Sequence, residues 1–118
     1  MSRALVVDDD IIARSICQYI LTRNGYQVDL ADNSEKALSL SSQHDYQLIV
    51  MDIGLPDACG LNTAKKIKQQ KHHSPFIFAI TAHLGEHCLE THSSEVDLIE
   101  NKPFTQQSVD QLNKVITQ

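Results

Sequence analysis

Residues 48–61 read LIVMDIGLPDACGL: four apolar residues, an aspartate, then a turn containing Gly54, Pro56 and Gly60. An unbroken apolar run of this length, closed by Gly and Pro, is the pattern of a strand buried on both faces. Asp52 ends the run, and an unpaired carboxylate carried into a core costs several kcal/mol. The residue is therefore expected at the mouth of the strand, with a cation beside it.

Outward from this stretch the same alternation repeats. Strand-like runs fall at residues 3–7, 27–31, 47–51, 75–80 and 96–99, and helix-periodic segments lie between them. After the first run, Ala13, Ile16, Cys17, Ile20 and Leu21 form the stripe of a helix set against a core, and Asn24-Gly25 is a stop signal. Further helices are expected over residues 33–42, with Asn33 or Ser34 as N-cap, over 60–71 and 84–92, and from 105 onward. Five βα units predict an α/β fold, a flavodoxin-like, doubly wound parallel sheet of order 2-1-3-4-5 with helices on both faces. With 118 residues and no linker, repeat or low-complexity tract, the chain reads as a single domain over 1–118 that needs no disulfide or metal to hold a core.

A hydrophobic fraction of 42% and a charged fraction of 21% describe a globular chain, and a net charge of -5 argues against direct nucleic-acid binding. Lys65, Lys66, Lys68 and Lys71 cluster, but on an amphipathic helix such a run is a solvated face. Cys17, Cys59 and Cys88 are odd in number and lack C-x-x-C spacing, which fits reduced thiols. His83 and His87 are four residues apart without the H-E-x-x-H order of a zinc protease, and His72-His73 falls at a helix end. No apolar run reaches the ~18 residues of a membrane span and no signal-peptide layout is present. The expectation is a cytoplasmic domain without membrane contact.

In an open parallel sheet, ligands bind past the carboxyl ends of the strands, where strand order reverses. Asp8, Asp9 and Asp10 follow the first strand, Asp52 the third, Thr81 the fourth and Lys102 the fifth. Two unit charges ~4 Å apart repel by about 4 kcal/mol at an effective dielectric of 20, so gathered carboxylates require a cation. Oxygen ligands facing solvent suit Mg²⁺, with Mn²⁺ as a substitute, and no Cys/His set favours zinc. A carboxylate, a divalent cation, a lysine and a hydroxyl are the parts of phosphoryl transfer onto a carboxylate nucleophile. Asp10 reads as a helix-start residue and Asp57 as a turn residue after Pro56.

The chain resembles a receiver domain of two-component signalling response regulators over essentially its whole length. Four segments stand in the family's order: Asp8-Asp9 after LVV, Met51 to Gly60 as M-D-I-G-L-P-D-x-x-G, Ile80-Thr81-Ala82, and Lys102-Pro103-Phe104. The resemblance implies that Asp52 accepts a phosphoryl group from a phosphohistidine of a sensor histidine kinase or a histidine phosphotransfer domain. It implies Mg²⁺ held by Asp9, Asp52 and the backbone carbonyl of Gly54, with Asp8 acting through water. Thr81 and Lys102 would each contact a phosphoryl oxygen, and the Lys102-Pro103 bond would be cis. The domain would be no enzyme beyond assisting its own phosphorylation and dephosphorylation.

Three departures bear on the output. Ile99 occupies the position of the family's switch aromatic, Glu100 replaces an apolar strand residue, and Glu95 stands where glycine is common. A short or irregular last strand follows from these. I-T-A-H at residues 80–83 and the non-aromatic residue 99 resemble receivers of hybrid sensor kinases. Gly54 and His83 should flank the phosphoryl group and set its lifetime through water access. Ile11 and Ile12, outside the core stripe, are read either as partly buried or as a docking patch for the helices of a phosphodonor. Two alternatives remain: a haloacid-dehalogenase-like phosphatase using Asp8 of Asp8-Asp9-Asp10, and a receiver-like interaction module that is never phosphorylated. Ile12 in place of Thr or Val and the lack of room for a cap weigh against the phosphatase.

Overall fold

The computed structural model of the protein describes residues 2–70, 75–82 and 96–116, save the side chain of Ile116. The helix expected over 84–92, the histidines at 72, 73, 83 and 87, Cys88 and Glu95 lie outside the described residues. In chain order the elements are β1 (Ser2–Val7), α1 (Ile11–Arg23), β2 (Tyr26–Ala31), α2 (Ser34–Gln43), β3 (Leu48–Asp52), α3 (Gly60–Gln70), β4 (Phe76–Thr81), β5 (Leu98–Asn101) and α4 (Gln106–Ile116). The strands form one sheet in the order β2-β1-β3-β4-β5, and every adjacent pair is parallel. That is the expected doubly wound topology.

Strand alternation sorts the core into two layers. Ala4 and Val6 of β1, Leu48 and Val50 of β3, and Phe78 and Ile80 of β4 face α1 and α4, where Cys17, Leu21, Val109 and Leu112 complete the cluster. Leu5, Val7, Ile49, Met51 and Ile77 face the opposite way, onto Ala37 of α2 and Ala64 and Ile67 of α3. Both faces of β3 are covered, which explains why LIVM shows no polar alternation: all five residues from Leu48 to Asp52 are buried. Phe104, just before α4, meets Phe78 edge to face at 5.4 Å between ring centroids, the arrangement the ring quadrupoles favour.

Local signals hold at the helix ends. Asp10 is the N-cap of α1, its Oδ1 accepting from Ile12 N at 3.0 Å. Asn33 caps α2, accepting from Lys36 N at 2.8 Å. Gly25, at φ 92°, makes the left-handed turn after α1 that other residues resist.

Two expectations need correction. Ile16 belongs to the predicted core stripe of α1 but is 46% exposed. The helix is rotated so that Cys17 and Leu21 point inward, and Ile16 lies about 100° around the axis from Cys17. The last strand falls two residues later than expected, at Leu98–Asn101. Asp97 makes the first contacts instead: its N–H donates to Ile77 O at 2.9 Å and its Oδ2 accepts from Ile77 N at 2.8 Å. The strand is short, as anticipated, and Glu100 is tolerated because β5 is an edge with one side half-exposed. Among the described residues, no helix is long and apolar enough to cross a membrane.

Candidate functional site

Sheet topology brings the acidic residues to one rim. Asp8 continues the β1 ladder one residue past its end, its N–H donating to Ala31 O at 3.0 Å. Asp52 is the last residue of β3, inside the strand rather than after it, and pairs with Ile80, so Thr81 closes β4 at the same level. The Thr81 carbonyl accepts from Lys102 N at 2.8 Å, which leads Lys102 onto the rim. The Lys102-Pro103 peptide is cis, as the resemblance implied.

The side chains converge. One carboxylate oxygen from each of Asp8, Asp9 and Asp52 lies within 4.8 Å of the others. Asp8 and Asp52 are buried, at 1% and 4% exposure, while Asp9 is exposed. Lys102 Nζ stands 3.0 Å from Asp8 Oδ2 and 3.3 Å from Asp52 Oδ2. Asp52 Oδ1 accepts from Gly54 N at 3.1 Å, and Asp8 Oδ1 from Asp10 N at 3.0 Å.

These contacts do not neutralise the cluster. Burial first, then the charge of Asp8, raises the Asp52 carboxyl from its usual 3.8 to about 6, against the downward pull of Lys102 and the Gly54 N–H. At neutral pH the carboxylate form still predominates. Burial alone would lower the Lys102 ammonium, but the Asp8 and Asp52 carboxylates outweigh it and raise its pKa. The buried Cys17 thiol is pushed up by burial and by Asp8, and so stays protonated and inert.

A hard divalent cation fits this donor set. Asp8 Oδ2 is buried and accepts no directed hydrogen bond, although Lys102 lies close enough for an ionic contact. Three convergent carboxylates carry more negative charge than one ammonium offsets, and oxygen ligands select magnesium or manganese over softer metals. Asp8, Asp9 and Asp52 are brought together as expected. Gly54 flanks them: a Cβ there would stand 4.0 Å from Asp52 Oδ1. Thr81 is buried at the rim, and His83 lies outside the described residues.

Three contributors escaped the sequence reading. Gly60 lies so close under Asp52 that a Cβ would overlap the Asp52 carbonyl oxygen and come within 2.9 Å of Ile53 Cα; its place in M-D-I-G-L-P-D-x-x-G was visible, its reason was not. Asp57 is more than a turn residue, since its carboxylate accepts from Ser34 N at 2.9 Å and Glu35 N at 3.1 Å, tying the loop after β3 to the start of α2. Arg14 Nη1 donates to Asp8 O at 2.9 Å. No pattern within either segment announces the last two contacts.

Beside the acids, α1 and the segment after β5 enclose a groove of about 310 Å³, lined by Ile12, Ala13, Ile16, Ile80, Pro103 and Phe104, with Asp10 and Lys102 at its polar edge. Ile11 and Ile12 are 66% and 67% exposed, which removes the partly buried reading of the pair.

Known proteins resemble the chain in sequence and in fold. The chain is 39% identical over 113 residues to the sensory transduction protein LytR of Staphylococcus saprophyticus, covering 92% of this chain and 43% of that protein. It is 37% identical over 87 residues to the response regulator SaeR of Staphylococcus aureus, covering 74% of this chain and 37% of the relative. The chain thus spans less than half the length of these curated relatives. The structure of the response regulator TrrA of Thermotoga maritima, in complex with Mg²⁺-BeF, superposes with a TM-score of 0.86 at 30% identity over 98% of this chain and 99% of that one. A CheY-like receiver domain from Methylobacillus flagellatus has the same fold at 23% identity, with a TM-score of 0.86 over 98% of both chains. These likenesses favour a phosphoacceptor domain over a phosphatase built on Asp8 and over an unphosphorylated interaction module. The family profile described as "Response regulator receiver domain" matches residues 4–114, and the chain belongs to that family.

Proposed function

We propose that Asp52 is the phosphoacceptor of one receiver domain spanning residues 1–118, charged from a phosphohistidine on a sensor histidine kinase or a histidine phosphotransfer domain. An oxygen of Asp52 forms the new O–P bond as the donor's P–N bond breaks, and the imidazole nitrogen keeps the electron pair. Asp52 becomes an acyl phosphate. Asp9, Asp52 and the Gly54 carbonyl would hold Mg²⁺ or Mn²⁺, with Asp8 acting through water. When bound, the metal supplies charge neutralisation at the transferring oxygens. Lys102 pairs with one phosphoryl oxygen and the Thr81 hydroxyl donates to another.

The observation that carries this reading is the meeting of three carboxylates, within 4.8 Å of one another, against the Lys102 ammonium at one rim of the sheet. TrrA, a response regulator, was crystallised with Mg²⁺-BeF, and its likeness to this chain supports the same ion here. SaeR and TrrA are response regulators, which favours that setting over a hybrid kinase. The exposed Ile11 and Ile12, with the apolar groove beside them, support docking of the donor's helices on the first turn of α1.

Incubation with Mg²⁺ and acetyl phosphate, followed by mass spectrometry, tests the assignment. Wild type should gain one phosphoryl group mapped to Asp52, and Asp52→Asn should gain none. A label on Asp8 would instead identify the phosphatase chemistry, and an unlabelled wild type would leave only an interaction module.

A further inference from the structure

The turn that carries Asp8 and Asp9 is held by three consecutive peptide groups, each with its own anchor. The peptide before Asp8 is anchored by the Asp8 N–H to Ala31 O at 3.0 Å, a continuation of the sheet. The peptide after Asp9 is anchored by the Asp10 N–H to Asp8 Oδ1 at 3.0 Å. The peptide between the two acids has Asp8 O as its acceptor, and that oxygen is met by Arg14 Nη1 at 2.9 Å, a side chain reaching back from α1.

A peptide unit is planar, so fixing its carbonyl fixes the direction in which the next Cα departs. Asp9 is exposed, so burial does little to settle its orientation. Its carboxylate nevertheless joins those of Asp8 and Asp52 in one cluster. Arg14 lies in the opening turn of α1, where the macrodipole taken by itself disfavours a cation. A local rule broken beside a functional cluster points to a role outside the helix.

We infer that Arg14 is a positioning residue for the magnesium site: its hydrogen bond to the Asp8 carbonyl orients the peptide joining Asp8 to Asp9 and so aims the exposed Asp9 carboxylate at the ion. The inference rests on the proposed metal-dependent receiver chemistry and extends it to a residue that touches neither metal nor phosphoryl group.

Two physical effects of Arg14 oppose each other, and this makes the test decisive. A guanidinium near the acids repels a divalent cation, so if charge alone mattered its removal would tighten magnesium binding. Partners that orient metal ligands from behind typically contribute 10–100-fold to metal affinity. Isothermal titration calorimetry with Mg²⁺ alone, on the full chain, separates the two. Arg14→Gln is expected to bind magnesium about tenfold or more weakly, with an unchanged melting temperature in the absence of metal and a shifted Asp9 amide resonance in the NMR spectrum. Arg14→Lys keeps a charge and a donor and is expected to recover most of the loss. Unchanged or tighter binding by Arg14→Gln overturns the inference, as does a loss in Arg14→Lys equal to that in Arg14→Gln. A wild type that takes up no magnesium would instead defeat the underlying metal reading, so the two failures are distinguishable.

Discussion

The two strands that bring Asp52 and Lys102 face to face are built on different terms. β3 lies between β1 and β4, and all five of its residues are buried. The chain beyond it folds straight back, with Gly60 N donating to Ile53 O at 2.7 Å and Gly54 bridging Cys59. β5 is the sheet edge, four residues long and half-exposed, and the segment after it borders an open apolar groove. Asp52 is thus placed by backbone packed on every side, whereas the Lys102 ammonium arrives at the end of a long side chain from a half-exposed edge. A lysine tolerates this because its stem spans the slack. The edge can therefore carry Ile99 and Glu100 while Lys102, just beyond it, still reaches Asp8 and Asp52.

The sharpest way to break this contrast is to perturb the backbone packing under the end of β3 and, separately, the edge strand. Gly60→Ala should destabilise the fold by about 3 kcal/mol, because the new methyl meets main chain that cannot rotate aside. The higher helix propensity of Ala returns at most about 1 kcal/mol of that. Glu100→Val, at the edge, should change stability by no more than about 1 kcal/mol in either direction. Urea unfolding of the two variants measures both, and similar midpoints would mean that the β3 rim is no more constrained than the edge.

A second comparison separates chemistry from recognition. Ile11→Glu changes an exposed side chain in the first turn of α1. Transfer from a histidine phosphodonor should slow by about tenfold, the equivalent of about 1.4 kcal/mol of lost docking, while labelling by acetyl phosphate should be unaltered. Parallel kinetics with the two donors decide it, since an equal loss from both would place Ile11 within the chemistry and remove the division of labour.

What the residues disclosed in advance follows the same division. Central strands announce themselves because burial on both faces leaves no polar residue to break the run, as in LIVM. Strand ends announce themselves because a run that stops at Asp8, Asp52 or Thr81 stops at the rim. Topology then unites residues that are dozens of positions apart, and the acidic set with Lys102 could be assembled from strand order alone. Ile16 was misplaced because a stripe of spacing 13, 16, 17, 20, 21 leaves the rotation of α1 undetermined, and the sheet selected Cys17 and Leu21. The Arg14 contact to Asp8 O and the Asp57 contacts to Ser34 and Glu35 were invisible for another reason. Each joins a side chain to backbone of a different segment, so neither spacing nor residue type carries a trace of the partner.

Asp57 offers the smallest and most specific test. Its two hydrogen bonds hold the loop after β3 against the first turn of α2, so the loop is restrained on the flank away from the edge strand. Chiefly the Ser34 N–H, and secondarily the Glu35 N–H, lower the Asp57 pKa from its usual 3.8. A carboxylate depressed in the folded state contributes stability that is complete above its unfolded pKa and fades as pH falls through the lower, folded value. The window therefore lies at and below pH 3.8. Asp57→Ala should melt slightly below wild type at pH 7, and the gap should close on acidification through that window. The side chain is exposed to solvent, so the gap is expected to be modest and to shrink further with added salt. A gap that stays constant down to low pH would show that the carboxylate's charge contributes nothing, and no gap at neutral pH would mean that the loop is held by its own backbone pairing and by Gly60 alone.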